Sequence, residues 1–126
     1  MSNLLGIDFG ERYIGLAIKK KNVAVPYAHR IIDKTKSNLV SELEKTIHDE
    51  NITKIIIGNP IGLNNNESRM SKLVDEFIDK ELSTNFNIPI IKIDERFTSK
   101  ISSKNNSKRN DDLSAVKILE SFDENE

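Results

Sequence analysis

Three acidic positions, far apart in the chain, carry the chemistry this sequence could perform. Asp8 lies inside LLGIDFGERYIGLAI (residues 4–18), a stretch otherwise made mostly of apolar and small residues. A carboxylate in such a stretch is costly to desolvate without a cationic partner, so Asp8 points to a metal or an arginine. Glu95 closes the apolar run IPIIKIDE (88–95), and Asp111 or Asp112 opens DDLSAVKILESF (111–122). Carboxylate oxygens are the ligands magnesium prefers, usually one or two of them with waters and substrate phosphate completing the octahedron. Two such ions about 4 Å apart activate a water and stabilise the leaving oxygen in phosphodiester cleavage. That chemistry requires acids from separate elements to meet in one place.

Each acid also has a plainer role open to it. Glu95 beside Arg96 suits a surface ion pair of little energetic worth. Asp111 and Asp112 suit a helix start, where they cap the chain and complement the dipole. Asp8 is a poor structural choice between Ile7 and Phe9, and its neighbouring glycines leave room for an ion and a phosphate. The functional reading rests on the three together.

The elements that must position these acids are readable from periodicity. Residues 4–9 and 13–19 read as two strands joined by a tight turn at Gly10-Glu11-Arg12. A third strand is expected over about 22–32 (NVAVPYAHRII), with Pro26 favouring a sheet edge because proline cannot donate to a ladder. Residues 36–50 space Leu39, Val40, Leu43 and Ile47 as one helical face. KIIIGNP (54–60) is a short β-branched run closed by Gly58 and Pro60. Residues 65–82 are helical again, with Met70, Leu73, Val74, Phe77 and Ile78 as the stripe and Asn64 with Glu67 resembling a capping box. IPIIKIDE is a further strand, and DDLSAVKILESF is the last helix.

The order is β-β-β-α-β-α-β-α, an α/β class. Runs such as KIIIG are apolar throughout, which suits strands covered on both faces by helices. The first three strands fit an antiparallel meander, and the later ones fit right-handed parallel crossovers. A five-stranded mixed sheet flanked by helices results. Polar groups then gather at the carboxyl ends of the parallel strands, where Asp8 and Glu95 fall. The last helix completes the set if it packs across the sheet near the first strand.

Bulk properties narrow the field. A chain of 126 residues is expected to form a single domain over 1–126, large enough to bury roughly two-thirds of its unfolded surface. The absence of cysteine removes thiol nucleophiles, zinc fingers and iron–sulfur clusters. No secretory leader pattern and no apolar run near the ~20 residues of a membrane span is present, so a soluble cytoplasmic protein without membrane partners is expected. Net charge is −1, so any nucleic-acid contact must come from a local patch.

Four motifs in this order, GIDFGERYIGLAI, IIIGNPIGL, IKIDERFTS and DDLSAVKILESF, resemble the YqgF (RuvX) family over nearly the full chain. These are bacterial proteins of RNase H-like fold, described as Holliday junction resolvases and as nucleases maturing the 5′ end of pre-16S ribosomal RNA. The resemblance implies that Asp8, Glu95 and the third acid are catalytic and bind Mg2+, with Mn2+ as an alternative. Helical geometry leaves Asp111 and Asp112 open, because both flank the stripe of Ala115, Ile118, Leu119 and Phe122. The family pattern D-x-x-[AS]-A-V-x-I-L selects Asp111.

The chain departs from the family at three places. Arg12-Tyr13 stands where a basic pair is usual, Gly58-Asn59-Pro60 replaces G-L-P, and the segment between Glu95 and the final helix is shorter than usual. That segment, SKISSKNNSKRN (99–110), carries Lys100, Lys104, Lys108 and Arg109 and no acid. Such a run is commonly a solvated loop. Because it connects two of the acids, it is also placed to hold a phosphate backbone without reading bases, with Arg12 and Arg96 as further contacts. His29 and His48 have no partners at ligand or triad spacing and read as structural.

The expected function is a magnesium-dependent nuclease acting on precursor 16S ribosomal RNA or a pre-ribosomal particle. A junction-resolving DNA endonuclease is the alternative within the same chemistry. A catalytically silent nucleic-acid-binding or ribosome-assembly module is the alternative from another class. A sugar-kinase or actin-type ATPase also begins with a strand bearing D-x-G, but it needs two such folds to enclose ATP.

Overall fold

The computed structural model describes residues 3–59, 65–94 and 111–124. Its elements are β1 (Asn3–Phe9), β2 (Tyr13–Lys19), β3 (Tyr27–Asp33), α1 (Leu39–Asp49), β4 (Ile52–Asn59), α2 (Asn65–Phe77), a π-helical turn Ile78–Leu82, α3 (Ser83–Asn85), β5 (Ile90–Asp94) and α4 (Asp111–Glu124). The strands form one sheet in the order β3-β2-β1-β4-β5. β1 pairs antiparallel with β2 and parallel with β4, and β5 runs parallel to β4. The meander followed by parallel crossovers is the arrangement expected from the patterning.

Both faces of the sheet are covered, which is why its central strands are apolar without alternation. Leu5 and Ile7 point to one side, into a core shared with Leu43 of α1 and with Val74 and Phe77 of α2. Leu4, Ala17 and Ile56 point to the other, against Ala115, Ile118 and Leu119 of α4. Alternation along β1 therefore places Leu4, Gly6 and Asp8 on the α4 side.

Gly6 sets the closeness of that second layer. A Cβ there would sit 2.6 Å from Leu119 Cγ and 2.9 Å from the Ala115 carbonyl oxygen, so α4 lies almost on the backbone of β1. Gly10 serves the hairpin turn instead: its Cβ would meet the Tyr13 carbonyl oxygen at 2.6 Å. Neither glycine is the clearance for an ion that the sequence alone suggests.

Three boundaries differ from the periodicity reading. β3 begins at Tyr27 rather than near residue 22. Asn22–Pro26 makes no ladder because Val23 N–H turns back to the Lys20 carbonyl (3.1 Å) and Pro26 has no donor. His29 is an extra residue in β3, since Leu16 pairs with Arg30 and the next position, Ala17, pairs with Ala28. α2 does not run as an unbroken α-helix to Leu82, because its end widens into the π turn. That wider spacing sets Leu82 five residues after Phe77 and buries both, where an α-helical repeat would have turned Glu81 inward.

α1 starts at Leu39 rather than near residue 36, and of the expected face Leu39 and Leu43 are buried while Val40 and Ile47 are half-buried. The Asn38 side chain accepts from Ser41 N–H (2.9 Å), and Leu39, Leu43 and Thr46 are buried. The capping box expected at Asn64 and Glu67 lies outside the described side chains. No described helix is long and apolar enough to cross a membrane.

Candidate active site

Asp8 is the second-last residue of β1, half-buried, on the face that α4 covers. Its cross-strand partner on β2 is Gly15. On the β4 side the pairing ends at Ile7–Ile57. The position across the β2 ladder from Asp8 therefore carries no side chain.

α4 brings its own start to the same place. Leu119 and Ala115 cover Gly6, whereas the Phe122 ring lies 5.6 Å from Lys54 Nζ, and Lys54 pairs with Leu4. The helix therefore runs antiparallel to β1, with its N-terminal residue Asp111 at the Asp8 end of the strand. Free N–H groups and the positive end of the dipole come with it, a setting that favours carboxylates and phosphate.

β5 reaches the same end of the sheet, with Ile93 beside Gly58 and Asp94 beside Asn59. Ile91 and Ile93 face α4, and the next position of that alternation in the sequence is 95. Glu95 lies outside the described residues, as do Arg96, Lys100, Lys104, Lys108 and Arg109; nothing is described of the Asp111 side chain. Among the described residues no three acidic or histidine side chains gather into a metal-binding group. Asp8 and the start of α4 lie toward one end of the sheet and on one face of it.

Arg12 is described, and its surroundings are specific. Its Nε and Nη2 donate to the Asp33 carboxylate at 3.3 and 3.1 Å, and the guanidinium carbon lies 5.0 Å from the centroid of the Tyr13 ring. Asp33 also accepts from Thr35 N–H (3.0 Å) and Thr35 Oγ1 (2.7 Å). The Arg12 hydrogen bonds, with those of Thr35, hold the Asp33 carboxyl well below the usual carboxylate range. Periodicity gave no hint of Asp33; only pairing Tyr13 with Asp33 in the ladder sets it beside Arg12.

The other rim of the β1–β2 turn is tied to α2. Glu11 forms a two-pronged pair with Arg69, one contact being Nη2 to Oε1 at 3.0 Å, and this hydrogen bonding lowers the Glu11 pKa. Phe9 stacks on Phe77 with centroids 4.6 Å apart, and Lys34 Nζ lies 4.8 Å from the Phe9 ring centroid. Asn59, a departure noted in the sequence, accepts from Ser71 Oγ at 2.9 Å on the α2 side, away from the face of Asp8. His29 is half-buried, and desolvation lowers its pKa; His48 is exposed, with its Nδ1 3.4 Å from the neighbouring Asp49 Oδ1.

A sequence profile of the RuvX family, described as Holliday junction resolvase, matches residues 2–124. The chain belongs to the RuvX family. Curated relatives bear the name "Putative pre-16S rRNA nuclease". One, from Caldicellulosiruptor saccharolyticus, is 35% identical over 94% of this chain and 94% of its own length. Another, from Dictyoglomus turgidum, is 35% identical over 76% of this chain and 68% of its own.

Two solved structures share the fold. T. thermophilus RuvC, in complex with a Holliday junction substrate, superposes with a TM-score of 0.62 at 9% identity, covering 99% of this chain and 96% of RuvC. Fowlpox virus resolvase with Holliday junction DNA gives 0.52 at 16% identity, over 98% and 97%. The RuvX chain therefore has the RNase H-like fold that its motifs implied.

Proposed function

We propose that this RuvX-family chain is a divalent-metal-dependent nuclease that cleaves phosphodiester bonds in the 5′-end maturation of precursor 16S ribosomal RNA. One observation carries the reading: α4 runs back along β1 so that its N-terminus and Asp8 share one end and one face of the sheet. Family membership supports phosphodiester cleavage, and the names of the relatives support the ribosomal substrate.

The donor set fits a hard cation. Carboxylates from the end of a buried strand and from the first residue of a helix are oxygen ligands of the kind Mg2+ and Mn2+ take. Asp8, Glu95 and Asp111 are the residues that would hold the ion. When bound, it supplies charge neutralisation at the phosphodiester and a more acidic attacking water. Gly15 places no side chain opposite Asp8, and the N–H groups opening α4 offer a phosphate its hydrogen bonds.

The family description favours a second substrate, the four-way DNA junction. Wild type and Asp8→Asn, incubated with a pre-16S 5′ fragment and with a four-way junction under Mg2+, separate the readings. The expected result is cutting of the RNA by wild type alone, abolished by chelation. Cutting of the junction only would move the assignment to resolvase action. Binding without cleavage under Mg2+ or Mn2+ would make the chain a silent nucleic-acid-binding module, and full activity in Asp8→Asn would overturn the site.

A further inference from the structure

Building on the nucleic-acid reading above, we propose that Arg12 and Tyr13 form a stacking plate beside Asp8 that receives one unpaired nucleobase of a single-stranded substrate. An arginine held for phosphate presents its donor fork outward. In Arg12 one edge of that fork is already taken: its Nε donates to both Asp33 carboxylate oxygens at 3.3 Å and its Nη2 donates to Oδ2 at 3.1 Å.

The plane of the guanidinium is held from several directions. Tyr13 backs it at 5.0 Å, within cation–π range. Thr35 holds Asp33 by two hydrogen bonds, and Lys34 N–H donates to the Arg12 carbonyl at 2.8 Å. The Arg12 side chain is nevertheless 53% exposed. Beside its outer Nη edge it offers a ligand its flat surface, and guanidinium planes and aromatic rings are the surfaces on which proteins stack unpaired bases.

The plate is in the right place. Tyr13 and Asp33 are paired at the end of the sheet where Asp8 lies, and Tyr13 shares the α4 face with Gly15 and Ala17. Because Asp8 pairs with Gly15, Tyr13 is its diagonal neighbour, at a Cβ separation of about 7–8 Å. Gly15 interposes no side chain. A base on the plate would belong to a nucleotide close to the scissile bond, and only an unstacked base can reach it. The plate thus selects single-stranded or frayed substrate, and Tyr13 becomes part of the recognition surface.

The test uses full-length Asp8→Asn protein and short single-stranded RNA oligonucleotides carrying 2-aminopurine at each position in turn, alongside matched oligonucleotides abasic at that position. Stacking is expected to quench the fluorophore at one position. Arg12→Lys, which keeps the charge and removes the plane, should abolish that quenching and weaken the base-containing oligonucleotide about tenfold, while the abasic one binds as before. Tyr13→Leu should reproduce this loss without changing the salt dependence of binding. Quenching retained in Arg12→Lys, or equal weakening of both oligonucleotides, would overturn the plate and return Arg12 to phosphate binding. If the Asp8→Asn protein binds neither oligonucleotide, the nucleic-acid reading fails and the plate with it.

Discussion

Asp8 and Gly15 stand opposite each other across the β1–β2 ladder, so the position facing the carboxylate carries no side chain. Asp8→Asn keeps the shape of the residue and its place opposite Gly15. The melting temperature of Asp8→Asn in chelator should therefore stay close to that of wild type. Mg2+ should raise the wild-type value, since a ligand that binds only the folded state stabilises it by about 2.7 kcal/mol at a hundredfold excess over Kd. Thermal melts with and without Mg2+ check this. An equal rise in both proteins would place the ion elsewhere.

Gly6 and Leu119 form the tightest contact between β1 and α4. Gly6→Ala should destabilise by roughly 1–3 kcal/mol through overpacking. Leu119→Ala should destabilise by about 2–5 kcal/mol through the cavity it leaves. The double variant should be less damaged than the sum, because removing Leu119 opens space for the new methyl group. Relief should be partial, since the Ala115 carbonyl remains 2.9 Å from that methyl position. Urea unfolding of the four proteins gives the coupling.

Asp33 should appear in the acid limb of the stability curve. Its folded pKa is depressed by Arg12 and Thr35, so its contribution is fully present above the ordinary carboxylate value of about 3.9 and fades as pH falls below it. Asp33→Asn removes that proton uptake, and its stability should fall less steeply with acid over the same window. Denaturant midpoints measured between neutral and acid pH test the slope; parallel curves would rule out an Asp33 contribution.

Phe9 and Phe77 stack where β1 meets α2. Replacing each by Leu, singly and together, should show a coupling of about 0.5–1.5 kcal/mol beyond the lost area. Phe77→Ala, at a buried position, should cost about 3–5 kcal/mol. Phe9 adjoins Asp8 in β1, so Phe9→Leu should also lower cleavage by more than its stability loss predicts. Equal activity per folded molecule would show that the stack supports the core alone.

Much of the architecture was readable because burial imposes period. The apolar run KIIIG had to be covered on both faces, and the stripe Ala115, Ile118, Leu119 had to meet the sheet. The start of β3 was misread because Val23 and Val25 have strand propensity, yet the Lys20–Val23 turn and Pro26 withhold the ladder. The π turn was hidden because it adds one residue to one turn, and only the burial of Leu82 beneath Phe77 decides it. Within the site, Asp8 stood out as a charge among apolar residues. Asp33 did not, since an aspartate ending an edge strand has many ordinary uses.

By itself, then, the sequence determined the element order, the two-sided burial of the sheet and the residue types able to hold a hard cation. These follow from local composition and from periods of two and 3.6, which act within each segment. Tertiary structure decided that Asp8 and the start of α4 share one side of the sheet. Alternation places Asp8 with Gly6, and the absence of a Cβ at Gly6 lets α4 press onto β1 and carry its N-terminus to the Asp8 end. It also turned Arg12 from a free cation into one with its Nε edge on Asp33 and a face on Tyr13, because β-ladder register brings together residues 21 positions apart in the chain.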